Sequence, residues 1–543
     1  MKEVKQIGEG SKGKAKISSC RKKSSHDTKI ITVPFPWLYT SIVLFLTVPL
    51  FIFFLGYLRL PVGIPLTLIF VGIVCYSVSD CLNDPDGVKL SKQDHDLKIP
   101  VSYLIGFAVT ALFISYVSGV GEYIYSFDDH EYRRAILRDL INYDWPVIFS
   151  NSTQTNPEVI KALGTDSGNR ALLYYFIYWL PSAVAGKTFG FEIGNLVLLL
   201  WNSIGIFLTF LAVSLKIKKI TAWVPFFYVF FSGLDIIPDF VYLFTEYNGW
   251  HWYEGYVPVM SYVSNFRELA SVNNQMVPCF LIVALLLLSK NTRSMGLTAG
   301  IMFCYSPWAV FGILPMVGAI LFGKKNKAKK MLKNLQNLFS VANITSALLL
   351  LFVFGSFYLS NSEGVDYRGF AWTFYDHPIM FIPCYIVFIA IEVLPFVVIL
   401  FKREKNNAVF WAVLVTLMIL PWYKVSDVND LSMRGSMPAL FFLCISLCAV
   451  VSDVMDKKNT PATKSGWIRT AAIMLTVIIM MFTTFINLFI IFGSVIKNVP
   501  GEEETVGSFG NIRDESRVWY CMHNYMCEDY EEQFFFRYLA RKN

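Results

Sequence analysis

The chain is predicted to be an all-α integral membrane protein of about thirteen transmembrane helices, and three observations carry that prediction. Of its 543 residues 55% are hydrophobic and only 16% charged, with a mean hydropathy of +0.49, a balance foreign to a water-soluble surface. Uninterrupted apolar segments recur from residue 35 to residue 495, each near the roughly 20 residues with which an α-helix crosses about 30 Å of hydrocarbon. Short basic runs separate them, which orients spans and does not build a nucleic-acid surface. A transmembrane β-barrel is disfavoured because its walls are alternating segments, not continuous apolar runs.

Residues 1–34 are rich in Lys and Ser, with Arg21, Lys22 and Lys23 adjacent; this tail is expected to be disordered and cytoplasmic. The first apolar run starts too late and runs too long for a cleaved leader, so it should stay as an anchor. Spans follow at 35–58, 61–82 and 100–120, with Lys89, Lys92 and Lys98 between the last two, which puts residues 121–170 outside. Two apolar segments, 171–187 and 191–215, then precede Lys216, Lys218 and Lys219, and the charge rule lets only one of them cross. The crossing goes to 191–215, because 171–187 is short, dense in Tyr and Trp and carries Pro181, as an interfacial helix does. A tilted full span is the alternative.

The alternation continues with spans at 219–234 and 275–289, a Pro-bearing hairpin within 294–322, and spans at 342–361, 377–401, 408–422, 437–453 and 469–495. The membrane domain thus covers 35–495, and residues 496–543 form a polar extracytoplasmic tail. The larger polar loops, 121–170, 235–273, 362–376 and 423–436, share the outer side with that tail. No internal repeat is evident.

Chemistry is expected in the outer loops. Asp128 and Asp129 stand where the third span leaves the bilayer, and Ala135, Ile136, Leu140 and Ile141 then recur at helical spacing beside Arg133, Arg134 and Arg138. Adjacent carboxylates at the edge of a low-dielectric phase raise each other's proton affinity, which suits proton abstraction from a hydroxyl. Helix capping is the plainer role for the same residues. In the second outer loop Asp235, Asp239, Glu246, His251, Glu254, Arg267 and Glu268 are interleaved with aromatics. Such a mixture suits sugar rings or an interfacial aromatic belt. Lys424 and Arg434 bracket the polar turn before Pro438, and their outer-side charge calls for a phosphate partner or for Asp427 and Asp430. Arg368 is a further cationic candidate, with Tyr367 and Trp372 beside it.

An acidic pair at the outer end of an early span, an interfacial helix of Arg, Tyr and Ile, and then Asp144-Trp145-Pro146 resemble the first outer loop of the GT-C superfamily of membrane glycosyltransferases, which includes protein O-mannosyltransferases and lipid A aminoarabinose transferases. The stretch from Leu172 to Leu180, followed by Gly186-Lys-Thr-Phe-Gly190 and a span, resembles that family's second interfacial helix. The resemblance covers roughly residues 100–215. It departs from the family in placing the acids after the third span and in having Asn169-Arg170 where Pro-Pro usually stands.

The resemblance implies a GT-C-like core in the cell membrane that moves a sugar from a polyprenyl phosphate to a hydroxyl of an acceptor glycan, lipid or protein. Asp128 or Asp129 would be the base, and Arg434, with Arg267 or Arg368, would meet the departing phosphate. His251, Glu254, Asp235 and Lys424 complete the candidate substrate-binding set. No cofactor or metal is expected, since one His with nearby Glu is poor zinc chemistry. The rivals are a transporter or flippase of lipid-linked glycans, a polymerase or ligase of surface polysaccharide, and an inert scaffold. In the tail, Cys521 and Cys527 either close a small loop or remain thiols.

Overall fold

A computed structural model describes residues 29–82, 96–124, 129–164, 168–238, 254–288, 292–323, 328–360, 368–426, 428–456, 463–497 and 506–542. The helices in chain order begin with α1 (Phe35–Tyr57), α2 (Leu60–Leu82), α3 (Val101–Val117), α4 (Asp129–Asn142), α5 (Pro157–Leu163), α6 (Leu180–Phe189) and α7 (Phe191–Ile217). Next come α8 (Trp223–Phe230), α9 (Asn265–Leu288), α10 (Met295–Tyr305), α11 (Val310–Phe322), α12 (Ala328–Leu338) and α13 (Val341–Tyr358). The last are α14 (Phe381–Glu392), α15 (Leu394–Glu404), α16 (Ala408–Ile419), α17 (Asp430–Val454), α18 (Lys464–Lys497) and α19 (Val518–Tyr525).

Among the described residues seven of these, α1, α2, α7, α9, α13, α17 and α18, are long and apolar enough to cross a membrane. α14 and α15 add an eighth if the 51° bend between them lies within one span. The protein is thus an all-α membrane protein. α3, α11 and α16 are apolar but shorter. The segment 171–187 is no continuous span: it begins in a strand, turns through a short 3-10 helix and ends in α6, which at ten residues is only about 15 Å long.

The bundle is built around α9 and α17, each 89% buried over its apolar window, while α2 and α18 are only 28% and 33% buried. Phe280 and Phe441 stack face to face between the two central helices, with centroids 3.7 Å apart. The outer helices expose Leu68, Val398 and Phe489 at 67–79%, an arrangement that suits hydrocarbon and that water would penalise. Among the described residues side-chain caps fix four α-helix starts: Asn156 accepts from Glu158 N, Ser340 from Asn343 N, Asn407 from Val409 N, and Asn429 from Ser432 N.

Short strands close the two ends of the bundle. β1 (Ile30–Val33) pairs antiparallel with β2 (Leu97–Pro100), so part of the N-terminal tail expected to be disordered is ordered from residue 30. Asp80 and Arg293 pair at 2.9 Å, and Asp453 meets Lys219 at 2.8 Å and Arg403 at 2.6 Å. At the opposite end, β3 (Ile148–Phe149), β4 (Arg170–Leu172), β5 (Arg368–Phe370), β6 (Tyr423–Val425), β7 (Val506–Ser508), β8 (Asn511–Ile512) and β9 (Met526–Cys527) form three small sheets. The sheet ordered β3-β4-β9 joins the C-terminal tail to the first polar loop. Cys521 and Cys527 are separate buried thiols, so they do not close the small loop considered from their spacing; Cys527 Sγ instead donates to Ser360 O at 3.0 Å.

The polar loop placed at 235–273 gives way to α9 at Asn265, and the turn placed at 423–436 gives way to α17 at Asp430. The polar first turns of both helices face other protein, so hydropathy reads them as loop although their backbones are helical.

The tail is clasped to α4. Arg138 Nη1 donates to Gly507 O at 2.5 Å. The carboxylate of Asp139 accepts from Ser508 Oγ at 2.5 Å and from Phe509 N at 2.9 Å. Thr153 Oγ1 donates to Gly510 O and Asn156 Nδ2 to Arg513 O, each at 2.7 Å. Burial raises the Asp139 pKa to about 7, although Ser508, Phe509 and Arg138 act the other way, whereas an unfolded Asp titrates near ~3.9. The docked state therefore binds more protons than the unfolded one between those values. Docking should be firmest below about pH 4 and weaken as the pH rises through 7. Asp139→Asn should abolish that slope and hold the tail more firmly than wild type at pH 8, by up to about 4 kcal/mol. Protease resistance of the tail across pH 4 to 8 measures this, and an unchanged slope in the variant refutes it.

Candidate functional site

Asp129 is the first residue of α4 and keeps its side chain 38% exposed. One turn on, Arg133 brings Nη1 to 3.5 Å from its carboxylate, the i,i+4 spacing that puts both on one face. Asp128 lies outside the described residues. His130 donates through Nε2 to Ala270 O at 2.7 Å, which ties α4 to the first turns of α9. Burial and the neighbouring Arg133 lower the His130 pKa to about 4, so it is neutral near pH 7. Its ring sits against Gly119, whose φ of +83° and lack of a Cβ let the chain leave α3 at that point.

α9 and α17 supply the other side. Arg434 Nη1 donates to Glu268 Oε2 at 2.6 Å, and its Nε lies 3.7 Å from Asp430. Glu268 and Arg434 have side chains 3% and 11% exposed. The sequence offered Arg434 a phosphate or a neighbouring aspartate as partner; within the protein it pairs with Glu268 and lies near Asp430. Burial pushes the Asp129 carboxyl up, but Arg133, Arg434 and Arg267 together outweigh it and hold Asp129 below the usual carboxylate range. Asp129, Arg267 and Arg434, which lie far apart in sequence, therefore share one electrostatic site.

The tail adds an aromatic wall. Tyr132 stacks on Tyr525 with centroids 5.5 Å apart, Tyr520 packs on Tyr132 at 4.9 Å, and Tyr174 packs on Tyr525 at 4.9 Å. Arg133 is in electrostatic contact with Tyr174, Tyr520 and Tyr525. Glu268 was named among the charged residues of the second outer loop, whereas Arg133 and these tyrosines were not among the expected site residues. The i,i+4 step from Asp129 was a visible signal for Arg133. No comparable signal exists for Tyr520, whose partners are far away in sequence.

The remaining candidates fall elsewhere. Glu254 is 2% exposed and accepts from Ser264 N at 2.9 Å, Ser264 Oγ at 2.6 Å and Asn487 Nδ2 at 2.8 Å. It braces α9 against α18, and burial, together with Asp235, raises its pKa. Asp235 is fully buried, accepts from Ser232 Oγ at 2.8 Å and lies with Glu392 against Gly233, where a Cβ would collide with both carboxyls. Arg368 is exposed on β5, and Lys424 on the paired strand β6 sets Nζ 4.5 Å over the Phe374 ring. His251 lies outside the described residues, as do Asp239, Glu246, Tyr367 and Asp427. Among the described residues no group of three or more His, Cys, Asp or Glu is placed to hold a metal ion.

Comparison of the chain with protein-family models, with curated proteins and with solved structures gave no match. The arrangement itself therefore carries the functional argument.

Arg434→Met should destabilise the protein by about 3–5 kcal/mol, because it leaves the Glu268 carboxylate buried and alone. Combining it with Glu268→Leu should restore most of the loss. Thermal melting in detergent checks this double-mutant cycle, and strict additivity of the two substitutions rejects the coupling.

Proposed function

We propose that the protein is a membrane glycosyltransferase of the GT-C kind, with about thirteen spans when α3, α8, α10, α11 and α16 cross beside the longer helices. In this reading it resides in the cell membrane, with the N-terminus cytoplasmic and the α4 site and C-terminal tail outside. The donor is a sugar on a polyprenyl phosphate and the acceptor is a hydroxyl of a glycan, lipid or protein. One observation carries the reading: a solvent-reachable carboxylate, Asp129, stands among three guanidinium groups at one end of an apolar bundle.

The chemistry follows from that grouping. The acceptor oxygen bonds to the anomeric carbon, the bond from that carbon to the phosphate oxygen breaks, and the electron pair leaves with the polyprenyl phosphate. The acceptor proton goes to the Asp129 carboxylate. Arg133, Arg267 and Arg434 balance the charge on the departing phosphate, for which a planar guanidinium is suited. Attack from the face opposite the phosphate inverts the anomeric centre.

A transporter of lipid-linked glycans is the second reading, and one observation favours it. Glu392 is 1% exposed and ends α14 at the 51° bend, where it meets Asp235. Ionisable groups buried at a broken helix are common in transport proteins.

Asp129→Asn should lower the turnover of polyprenyl-phosphate sugars in membranes by roughly 10²- to 10⁴-fold, the usual range for loss of a general base. Wild-type turnover in that variant would reject the base assignment. Glu392→Gln should leave turnover largely intact; if it instead abolishes glycan translocation, the second reading prevails.

A further inference from the structure

Among the described residues, three buried polar groups on α9 have no hydrogen-bond partner: Glu268 Oε1, Ser271 Oγ and Asn274 Oδ1. Their residues are 2%, 5% and 0% exposed. A buried polar atom left unpaired costs about 1–3 kcal/mol, so three in one helix call for a reason. Glu268 and Ser271 are three residues apart and share a helix face, and Asn274 follows beyond the break at Val272. Their neighbours differ: Asn273 Nδ2 reaches Asn202 Oδ1 at 3.4 Å, and Gln275 Oε1 accepts from Ser306 Oγ at 2.7 Å.

Each end of the row is held from behind. Glu268 Oε2 is fixed by Arg434, and Asn274 Nδ2 donates to Tyr175 O at 3.0 Å. Between them the helix breaks at Val272, with φ −142° and ψ 48°. The two flanking carbonyl-type oxygens can only accept, and the serine hydroxyl between them can donate or accept.

Across the same site the deficit is reversed. Arg133 is 9% exposed, and its Nε and Nη1 have no hydrogen-bond acceptor among the described residues; the Asp129 carboxylate lies 3.5 Å from Nη1. The two deficits are neighbours: Tyr174 is in electrostatic contact with Arg133 and with Arg434, the partner of Glu268, and the adjacent Tyr175 O accepts from Asn274 Nδ2.

A single ligand that meets both must accept hydrogen bonds at one end and donate several at the other. A phosphate does the first and a sugar ring the second, whereas a phosphate alone has no donors to offer. We infer that Glu268, Ser271 and Asn274 form the subsite for the hydroxyl groups of the sugar on the lipid donor, whose phosphoryl oxygens meet Arg133. The inference rests on the glycosyl-transfer reading and names the residues that select the sugar.

The test uses the purified full chain in lipid nanodiscs and two kinds of probe. One is a short polyprenyl phosphate; the other is the same lipid carrying a hexose or a pentose. At least one sugar-bearing lipid should bind wild type roughly tenfold or more tighter than the bare phosphate lipid, since several hydrogen bonds are gained. Ser271→Ala, which breaks no existing hydrogen bond, should cut that advantage roughly fivefold, and Asn274→Leu by as much again. Both variants should keep the affinity for the bare lipid, which also reports intact folding. Equal binding of bare and sugar-bearing lipids to wild type overturns the subsite while leaving the phosphate reading in place. So does an advantage that Ser271→Ala leaves untouched. If neither lipid binds, the glycosyl-transfer reading falls and takes the subsite with it.

Discussion

The ion pair between Arg434 and Glu268 is the constraint on which the rest of the site depends. It joins the two most enclosed helices, α9 and α17, near their polar ends, with both side chains almost out of solvent. In that environment neither charge is tolerable alone, so the pair fixes the two helices in one register. Everything around it inherits the placement. Ala270 holds His130, His130 sets the start of α4, and the start of α4 carries Asp129 and Arg133.

The C-terminal tail supplies the other half of this scaffold. It is polar and follows the last long apolar helix, yet it returns to pair β9 with β4 and to seat β7 on α4. Two of its tyrosines, Tyr520 and Tyr525, form the wall beside Arg133. A second clasp lies farther along, where Arg59 donates through Nε to Ala540 O at 2.9 Å and Leu58 bridges Ala540. Tying the tail at both places fixes it against α1 and α4 together. The site is therefore assembled from the first polar loop, two central helices and the chain's end.

What could be read from the sequence follows from the range of the interactions involved. The apolar runs and the basic runs are local, so the membrane class and the helical nature of α1, α2, α7, α13 and α18 were legible from composition alone. The amphipathic spacing of Ala135, Ile136, Leu140 and Ile141 likewise marked α4 as a helix. The starts of α9 and α17 were not legible, because Glu268 and Arg434 are polar residues buried against each other across 166 positions. Hydropathy treats such residues as loop, since it cannot see that each neutralises the other. Arg434 and Arg267, expected from the sequence to serve the same chemistry as the acids of α4, lie within electrostatic reach of Asp129 as members of a partnered network. Arg368 and Lys424 looked equivalent to them in sequence and sit on a separate strand pair, because a basic residue's charge says nothing about its partner.

The same electrostatics bear on how such a site would act. A carboxylate held below its usual range by three guanidiniums is a weak proton acceptor while the site is empty of other anions. A phosphate arriving at those guanidiniums adds negative charge where Asp129 sees only positive, and the proton affinity of Asp129 must then rise. In the glycosyl-transfer reading the base is thus weak until the lipid donor is seated and strengthens once it is. Such an order protects against idle ionisation of water or of an acceptor in the absence of donor. It needs no moving part beyond the ligand's own charge, because Arg133 Nε and Nη1 have no hydrogen-bond partner among the described residues.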